Sequence, residues 1–280
     1  MASSAPGTTV DHTPTDDIAL AVAQFVPTDD VTANRHAIER MSRLAAHRGA
    51  RLVVFPEYSS FFVPELGQRS IAAAEPLDGE FVTALSALAN ELGIHLVAGM
   101  LEQAEAGRAY NTAVAVAPSG EVAARYRKLH LYDAFGQTES DWIVPGEIEE
   151  PETFELGGLR VGLQTCYDLR FPEVSRRLVD AGADVIAVPS EWVRGPLKEQ
   201  HWRTLVTARA LENTVFVAAA DHAPPVGAGN SMIVDPMGVE LATIGENTDV
   251  ALAYVSRHRI ASVRAVNPAL ALRRFEVRAR

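Results

Sequence analysis

Apolar residues in this chain gather in short runs, each closed by Pro, Gly, Asp or Cys. Runs at 18–26, 51–55, 94–100, 111–117, 159–165, 184–188, 214–220, 231–234 and 250–255 have the length of strands. Several are continuously apolar: Leu-Val-Val-Phe at 52–55, Val-Ile-Ala-Val at 185–188 and Val-Phe-Val-Ala-Ala-Ala at 215–220. A strand with one wet face alternates, so a continuous run predicts a strand buried on both faces.

Helical spacing fills the gaps between these runs. Segment 32–47 puts Ile38, Met41, Leu44 and Ala45 on one stripe and meets Gly49 as a stop. Segment 80–92 spaces Phe81, Leu85, Leu88 and Leu92 along one face before Gly93. Segment 173–181 follows Pro172, a good first helical residue, and ends at Gly182. Segment 199–212 aligns Trp202, Leu205, Val206 and Arg209. Strand, helix, strand recurs at 18–55 and at 159–188, without a repeat at residue level. No low-complexity linker divides the chain, so one domain is expected over 17–265. Its strands, buried on both faces, fit a doubly wound α/β sheet or two packed sheets with helices outside.

Composition narrows the partners. The chain has 280 residues, 48% hydrophobic and 22% charged, with a formal net charge of −11. That is a globular composition. Its acidic balance argues against nucleic acid and against a polybasic membrane surface. No run reaches the ~18 apolar residues of a membrane helix. Residues 1–16 are rich in Ser, Thr, Pro and Asp, with neither a basic nor an apolar signal region. They predict a disordered tail and a cytoplasmic protein. Charge is unevenly spread. Residues 257–280 hold seven Arg and one Glu, a net +6, which leaves −17 on the other 256. Val263, Leu270, Leu272 and Phe275 interleave these arginines and favour burial. Segment 266–280 is therefore expected to dock on the acidic body of its own or a partner subunit.

Three strand ends share one form. The run ending at Pro56 delivers Glu57, the run ending at Thr165 delivers Cys166, and the run ending at Pro189 delivers Ser190 and Glu191. Carboxyl ends of strands are where open α/β folds handle ligands. The single cysteine excludes an internal disulfide, a four-cysteine zinc site and a CxxC pair. No metal or nucleotide motif is present, so no metal and no cofactor is expected. Taken alone, Cys166 fits a small buried hydrophobe as well as a nucleophile, which needs a nearby base or cation. None of the eight histidines carries a local signature of such a base. Only Lys128 and Lys198 interrupt a set of 25 cations that is otherwise Arg. A compact ammonium can lose a proton or serve one oxyanion, and a guanidinium cannot shuttle protons. Lys128 is either such a position or chance, and Lys198 reads as a surface residue. Glu57 and Glu139, taken alone, read as solvated acids.

Taken together, Glu57 in FPEY, Lys128 in YRKLHLYD and Cys166 in CYDLRFPE resemble, in that order, the nitrilase superfamily of carbon–nitrogen hydrolases. LDGE at Gly79, YNTAVAV at Asn111, TESDWIVPG at Glu139, His201-Trp202, RALEN at 209–213 and GNSMIVDPMG at 229–238 extend the likeness over 17–275. CYDLRFPE is most similar to the amidase-type branch that includes omega-amidases. Loop 191–200 looks extended and 133–137 abbreviated beside that branch, and both are expected to border the pocket. The resemblance implies a four-layer αββα sandwich and a homodimer or higher homo-oligomer, paired through a helical face. It implies hydrolysis of a small-molecule amide to carboxylate and ammonia through a thioester. Cys166 would be the nucleophile, Glu57 the base and Lys128 the cation. Glu139 would orient Lys128 or the leaving amide. Tyr58, Tyr167 and Trp192 would wall the pocket, and the Tyr167 N–H would face the oxyanion. Arg170 is expected to pair with Asp168 or Glu173 rather than with substrate. The nearest rival activity is N-carbamoyl amino-acid hydrolysis. Behind it stand a nitrilase, an N-acyltransferase and a non-catalytic binding protein of the same fold.

Overall fold

The computed structural model describes residues 17–279. The first half runs β1 (Ile18–Gln24), α1 (Val31–His47), β2 (Leu52–Val54), α2 (Gln68–Ala72), α3 (Glu80–Leu92), β3 (His95–Gln103), β4 (Ala109–Val116) and β5 (Val122–Arg127). The second runs β6 (Thr153–Leu156), β7 (Leu159–Leu163), α4 (Pro172–Asp180), β8 (Val185–Pro189), α5 (Lys198–Asn213), β9 (Phe216–Ala220), β10 (Met232–Val234) and β11 (Glu240–Thr243). It closes with β12 (Asp249–Val255) and α6 (Arg257–Val266).

Two six-stranded sheets result, ordered β12-β1-β2-β3-β4-β5 and β6-β7-β8-β9-β10-β11. Each has three parallel strands at its centre, β1-β2-β3 and β7-β8-β9, with antiparallel strands outside. The succession of parallel and antiparallel pairings is the same in both sheets, and β12 fills in one the place of β6 in the other. The recurrence in the sequence is therefore a recurrence of topology.

The continuous apolar runs are explained by the layers. On β1, Leu20 and Val22 enter the core between the sheets, while Ala21 and Ala23 meet Ile38, Met41 and Ala45 of α1. On β8, Val185 and Ala187 face the other sheet, and Ile186 and Val188 face Trp202, Val206 and Ala210 of α5. Strand side chains alternate faces, so a strand sandwiched between a helix layer and a second sheet must be apolar at every position. This is the four-layer αββα sandwich of the resemblance. No helix among the described residues is long and apolar enough to cross a membrane.

Local signals set the helix ends. Asp30 caps α1 by accepting from the Thr32 and Ala33 amides, and Gly93 ends α3 at φ 66°. Leu44, placed on the buried stripe by spacing, is exposed instead; Ile38, Met41 and Ala45 suffice to cover the sheet.

The basic end of the chain docks in part on its own body. Arg259 grips Asp235 at 2.6 Å, Arg273 reaches Asp180 at 2.5 Å, and Arg257 and Arg264 flank Asp184. Val263 is buried and Leu270 packs against the α5 core. Leu272 and Phe275 are not covered, with Phe275 90% exposed, contrary to the burial their apolarity suggested. The tail expected at 1–16 lies outside the described residues.

Candidate active site

Glu57, Lys128, Cys166, Glu139, Tyr58, Tyr167 and Trp192 all line one cavity of about 410 Å³ at the carboxyl ends of the central strands. The chain delivers them from separate elements. Beyond β2 it keeps pairing with β3 through the Phe55 amide on the Val97 carbonyl and the Gly99 amide on the Pro56 carbonyl. That continuation lays Glu57 across Gly99. A Cβ on Gly99 would sit 2.5 Å from the Glu57 Cα and 2.7 Å from the Tyr58 nitrogen. A glycine inside an apolar strand is the sequence signal of such a close approach. Gly99→Ala is expected to destabilise the fold by about 1–3 kcal/mol through overpacking. It is expected to lower kcat about 100-fold, since a shift of ~1 Å in a catalytic group costs that much. Denaturant midpoint and steady-state rate check the two effects separately.

Cys166 follows β7 at φ 44° and opens a short 3₁₀ turn, Cys166–Arg170. A left-handed non-glycine residue holds strain of about 1–2 kcal/mol and persists only where its surroundings fix it. Asp168 supplies that fixing. It accepts from the Tyr126 hydroxyl at 2.7 Å, the His130 amide at 3.1 Å and the Thr165 amide, and contacts the His130 ring at 2.7 Å. Asp168 is thus committed, and Arg170 pairs with neither it nor Glu173. Instead Arg170 lies over the rings of Trp192 and Tyr167, with His201 at 3.4 Å. This corrects the expected structural pair.

Lys128 stands at the end of β5, 2% exposed, between two acids. Its ammonium donates to Glu57 Oε1 at 3.0 Å and Glu139 Oε2 at 2.8 Å. Asn111 on β4 ties the same groups together, its side-chain amide reaching Glu57 at 2.6 Å and Glu139 at 2.9 Å. Tyr58 is more than a wall, since its hydroxyl donates to Glu139 at 2.7 Å. The Tyr132 amide completes the hold on Glu139 at 2.6 Å.

Two carboxylates facing one ammonium cannot be equally satisfied. Burial raises both acids' proton affinity, and Lys128 lowers it in both. With donors from Lys128, Asn111, Tyr58 and Tyr132, Glu139 ends below the usual carboxylate range. Glu57 ends above it, because burial and the neighbouring Glu139 charge outweigh its own donors. Lys128 loses proton affinity by burial but regains more from Glu139 and Glu57, so it stays an ammonium. Burial, with the Glu57 charge beside it, pushes the Cys166 thiol up. The resting site is therefore a neutral thiol beside a carboxylate of heightened basicity, with a fixed cation between the acids. Among the described residues there is no cluster of His, Cys, Asp and Glu suited to a metal.

Three groups to which the sequence assigned no role in the site complete it. His222, past β9, contacts the Glu57 carbonyl through Nε2 at 2.6 Å. Burial lowers its pKa to about 4, so the ring is neutral and Nε2–H is the donor. Glu191 occupies in the second sheet the place Glu57 has in the first, after the central strand β8. Its amide donates to Glu57 Oε2 at 2.6 Å, and its carbonyl lies 3.4 Å from Cys166 Sγ. The third is Lys198, which is not the surface residue its loop implied. It is 5% exposed and lines the cavity.

Residues 19–265 match the carbon–nitrogen hydrolase family. The chain is 38% identical over 256 residues to a deaminated glutathione amidase of Escherichia coli O157:H7, covering 91% of this chain and 97% of the relative. It superimposes on the NitFhit protein of C. elegans with a TM-score of 0.83 at 30% identity. That match covers 93% of this chain and 66% of the longer protein. It also superimposes on an amidase of Nesterenkonia sp. AN1 with a TM-score of 0.75 at 27% identity, covering 92% and 99%. That structure shows the acetamide moiety of fluoroacetamide added covalently at the active-site cysteine.

Proposed function

Because the chain belongs to the carbon–nitrogen hydrolase family and hydrolyses a small-molecule amide through a cysteine, we propose that Cys166 is that cysteine, Glu57 its base and Lys128 the cation facing the oxyanion. The observation that carries this reading is the meeting of thiol, raised-affinity carboxylate and ammonium in one cavity.

The Cys166 thiol gives its proton to Glu57 as sulfur bonds the amide carbon. The carbonyl oxygen takes the charge and is held by the Lys128 ammonium and the Tyr167 amide. One preorganised donor of this kind lowers the barrier by about 3–4 kcal/mol. Collapse breaks the C–N bond, Glu57 passes its proton to nitrogen, and ammonia leaves. Water then gives a proton to Glu57 as its oxygen bonds the thioester carbon. The C–S bond breaks and the proton returns to sulfur. Glu139 is a positioning residue: it holds Lys128, and Tyr58 holds Glu139. Tyr167 and Trp192 wall the acyl pocket. A glutathione derivative lacking its amino group is the first amide to assay.

The free enzyme requires Glu57 unprotonated, so kcat/KM falls as pH drops through the Glu57 pKa. Since burial raises that pKa, the acid limb is expected above the ~4.3 of an ordinary glutamate. A pH–rate profile checks this, and Glu57→Gln is expected to remove the activity that the limb reports. A limb at or below the ordinary value would contradict Glu57 as base.

We also assign 17–265 to the hydrolase domain and 266–280 to a contact between two copies, supported by the uncovered Leu272 and Phe275. A sedimentation mass of twice the 30.2 kDa chain is the expected result. A reducing cytoplasm suits a catalytic thiol that stays unpaired.

A further inference from the structure

Residue 191 touches both the base and the nucleophile through its backbone. Its N–H donates to Glu57 Oε2 at 2.6 Å, and its carbonyl accepts from Cys166 Sγ at 3.4 Å. That carbonyl shares a peptide plane with the Trp192 N–H. The two groups of a trans peptide point in opposite directions, so whatever holds the Trp192 N–H also aims the Glu191 carbonyl. Asp221 holds it: Oδ1 accepts the Trp192 N–H at 2.6 Å.

Sheet pairing does not supply this hold. Among the described residues, the last backbone bond of the β8–β9 ladder runs from the Ser190 amide to the Ala220 carbonyl, at 2.8 Å. Past it the chain leaves the sheet, and a side chain stands in for the next carbonyl. Asp221 follows β9 and is fully buried. Its own amide donates to Ser231 Oγ at 2.9 Å, and that hydroxyl donates to Gln24 Oε1 at 2.7 Å. The backbone carrying the carboxyl is thus tied to the end of β1. Burial raises the Asp221 proton affinity more than the Trp192 amide lowers it, and the Glu191 charge adds to the rise. The next residue, His222, grips the Glu57 carbonyl at 2.6 Å. Two consecutive side chains past β9 therefore hold the backbone of the base and the peptide that faces the thiol.

We propose that Asp221 is a positioning residue for the nucleophile: by accepting the Trp192 N–H it keeps the Glu191 carbonyl turned toward Cys166 Sγ. This assignment rests on the amidase reading of the site and adds how the thiol is aimed. The carbonyl accepts the thiol proton in the resting site and fixes the rotation about the Cβ–Sγ bond. Glu57 Oε2 is held by the amide of the same residue, so base and thiol keep one spacing. Without Asp221 the 191–192 peptide can rotate about the bonds on either side of it, which turns the carbonyl off the sulfur. A carbonyl bonded to S–H stabilises the neutral thiol and opposes its ionisation. Losing Asp221 therefore eases ionisation of Cys166 while spoiling its aim.

The test compares Asp221→Ala with Asp221→Asn in the full chain. Asn keeps the accepting oxygen without the charge that burial opposes. Asp221→Ala is expected to lower kcat for amide hydrolysis about 10- to 100-fold with KM within about threefold, the effect of a misplacement of up to ~1 Å. Asp221→Asn is expected to stay within about threefold of wild type in kcat. Cys166 is the single cysteine, so methyl methanethiosulfonate reports its ionisation without any substrate. The pH midpoint of that reaction is expected to fall by about 0.5 in Asp221→Ala, the worth of a weak S–H bond, and to return in Asp221→Asn. An unmoved midpoint in Asp221→Ala, or unchanged kcat, overturns the assignment, and so does an Asp221→Asn variant as impaired as Asp221→Ala. A fall in unfolding temperature alone overturns it too, since Asp221 would then only satisfy a buried amide. A wild type that hydrolyses no amide overturns the amidase reading instead, because the thiol titration stands without it. Should Asp221→Ala fail to fold, Asp221→Ser, whose hydroxyl falls one bond short of the Trp192 amide, is read by the same measures.

Discussion

Cys166→Ala is expected to abolish amide hydrolysis, by at least about 10⁴-fold in kcat, with the fold retained. The loss is large because Cys166 is the single thiol of the chain, while Glu57 is engaged by Asn111, Lys128 and the Glu191 amide and Lys128 is held as an ammonium. The fold survives because the left-handed turn is fixed by Asp168, not by the sulfur. Alanine at φ 44° carries a strain similar to cysteine, and the lost sulfur leaves a void worth about 1 kcal/mol. Residual ammonia release and thermal unfolding separate the outcomes. Activity near wild type would remove the covalent mechanism. In the intact enzyme, rapid quenching during turnover should yield an acyl mass on the Cys166 peptide and on no other.

Replacing Lys128 is expected to have the next largest effect, and two substitutions divide its causes. Lys128→Met leaves Glu57 and Glu139 facing each other with no cation. An uncompensated buried charge of this kind costs about 3–5 kcal/mol, so one acid must take a proton. The expected results are a clear drop in unfolding temperature and a fall in kcat of about 10³-fold or more, since oxyanion support is lost as well. Lys128→Arg keeps the charge but replaces a point donor by a planar fork in a site 2% exposed. Its stability should suffer less, while kcat should still fall about 100-fold because the charge is displaced. Wild-type turnover by the Lys128→Arg variant would mean that the ammonium acts through charge alone.

Much of this site is legible because β-strand ends are legible. Glu57, Cys166 and Glu191 each follow an apolar run, and the runs are β2, β7 and β8. Lys128 stands out by rarity, and the motifs around it give the rest. Three strands escape the hydrophobic pattern for physical reasons. β5 reads Val-Ala-Ala-Arg-Tyr-Arg, and its arginines are satisfied by Glu152 and Glu102 at the sheet edge, so the run never looks buried. β6 and β11 have four residues each and carry charge. The five-residue α2 is too short to show a period, and α6 is hidden in what reads as a basic segment. Lys198 reads as a surface residue because it sits between a Gly-Pro turn and the polar pair Glu199-Gln200, whereas the rings around it come from Tyr132, Phe135 and Trp192. His222 has no local signature, because what it holds is a backbone carbonyl 165 residues away.

The pairing of β1 with β12 bears on how the chain is made. Ile18 lies opposite Val255 and Gln24 opposite Asp249, so this edge closes only when the last strand exists. At ~5–20 residues per second, a ribosome needs roughly 10–50 s to travel from one partner to the other. During that interval seven consecutive buried-type residues of β1 present an open strand edge, the kind of surface that recruits aggregation. The yield of folded chain in cells is accordingly expected to respond to translation speed across 25–248, and soluble yield measured at two translation speeds checks this.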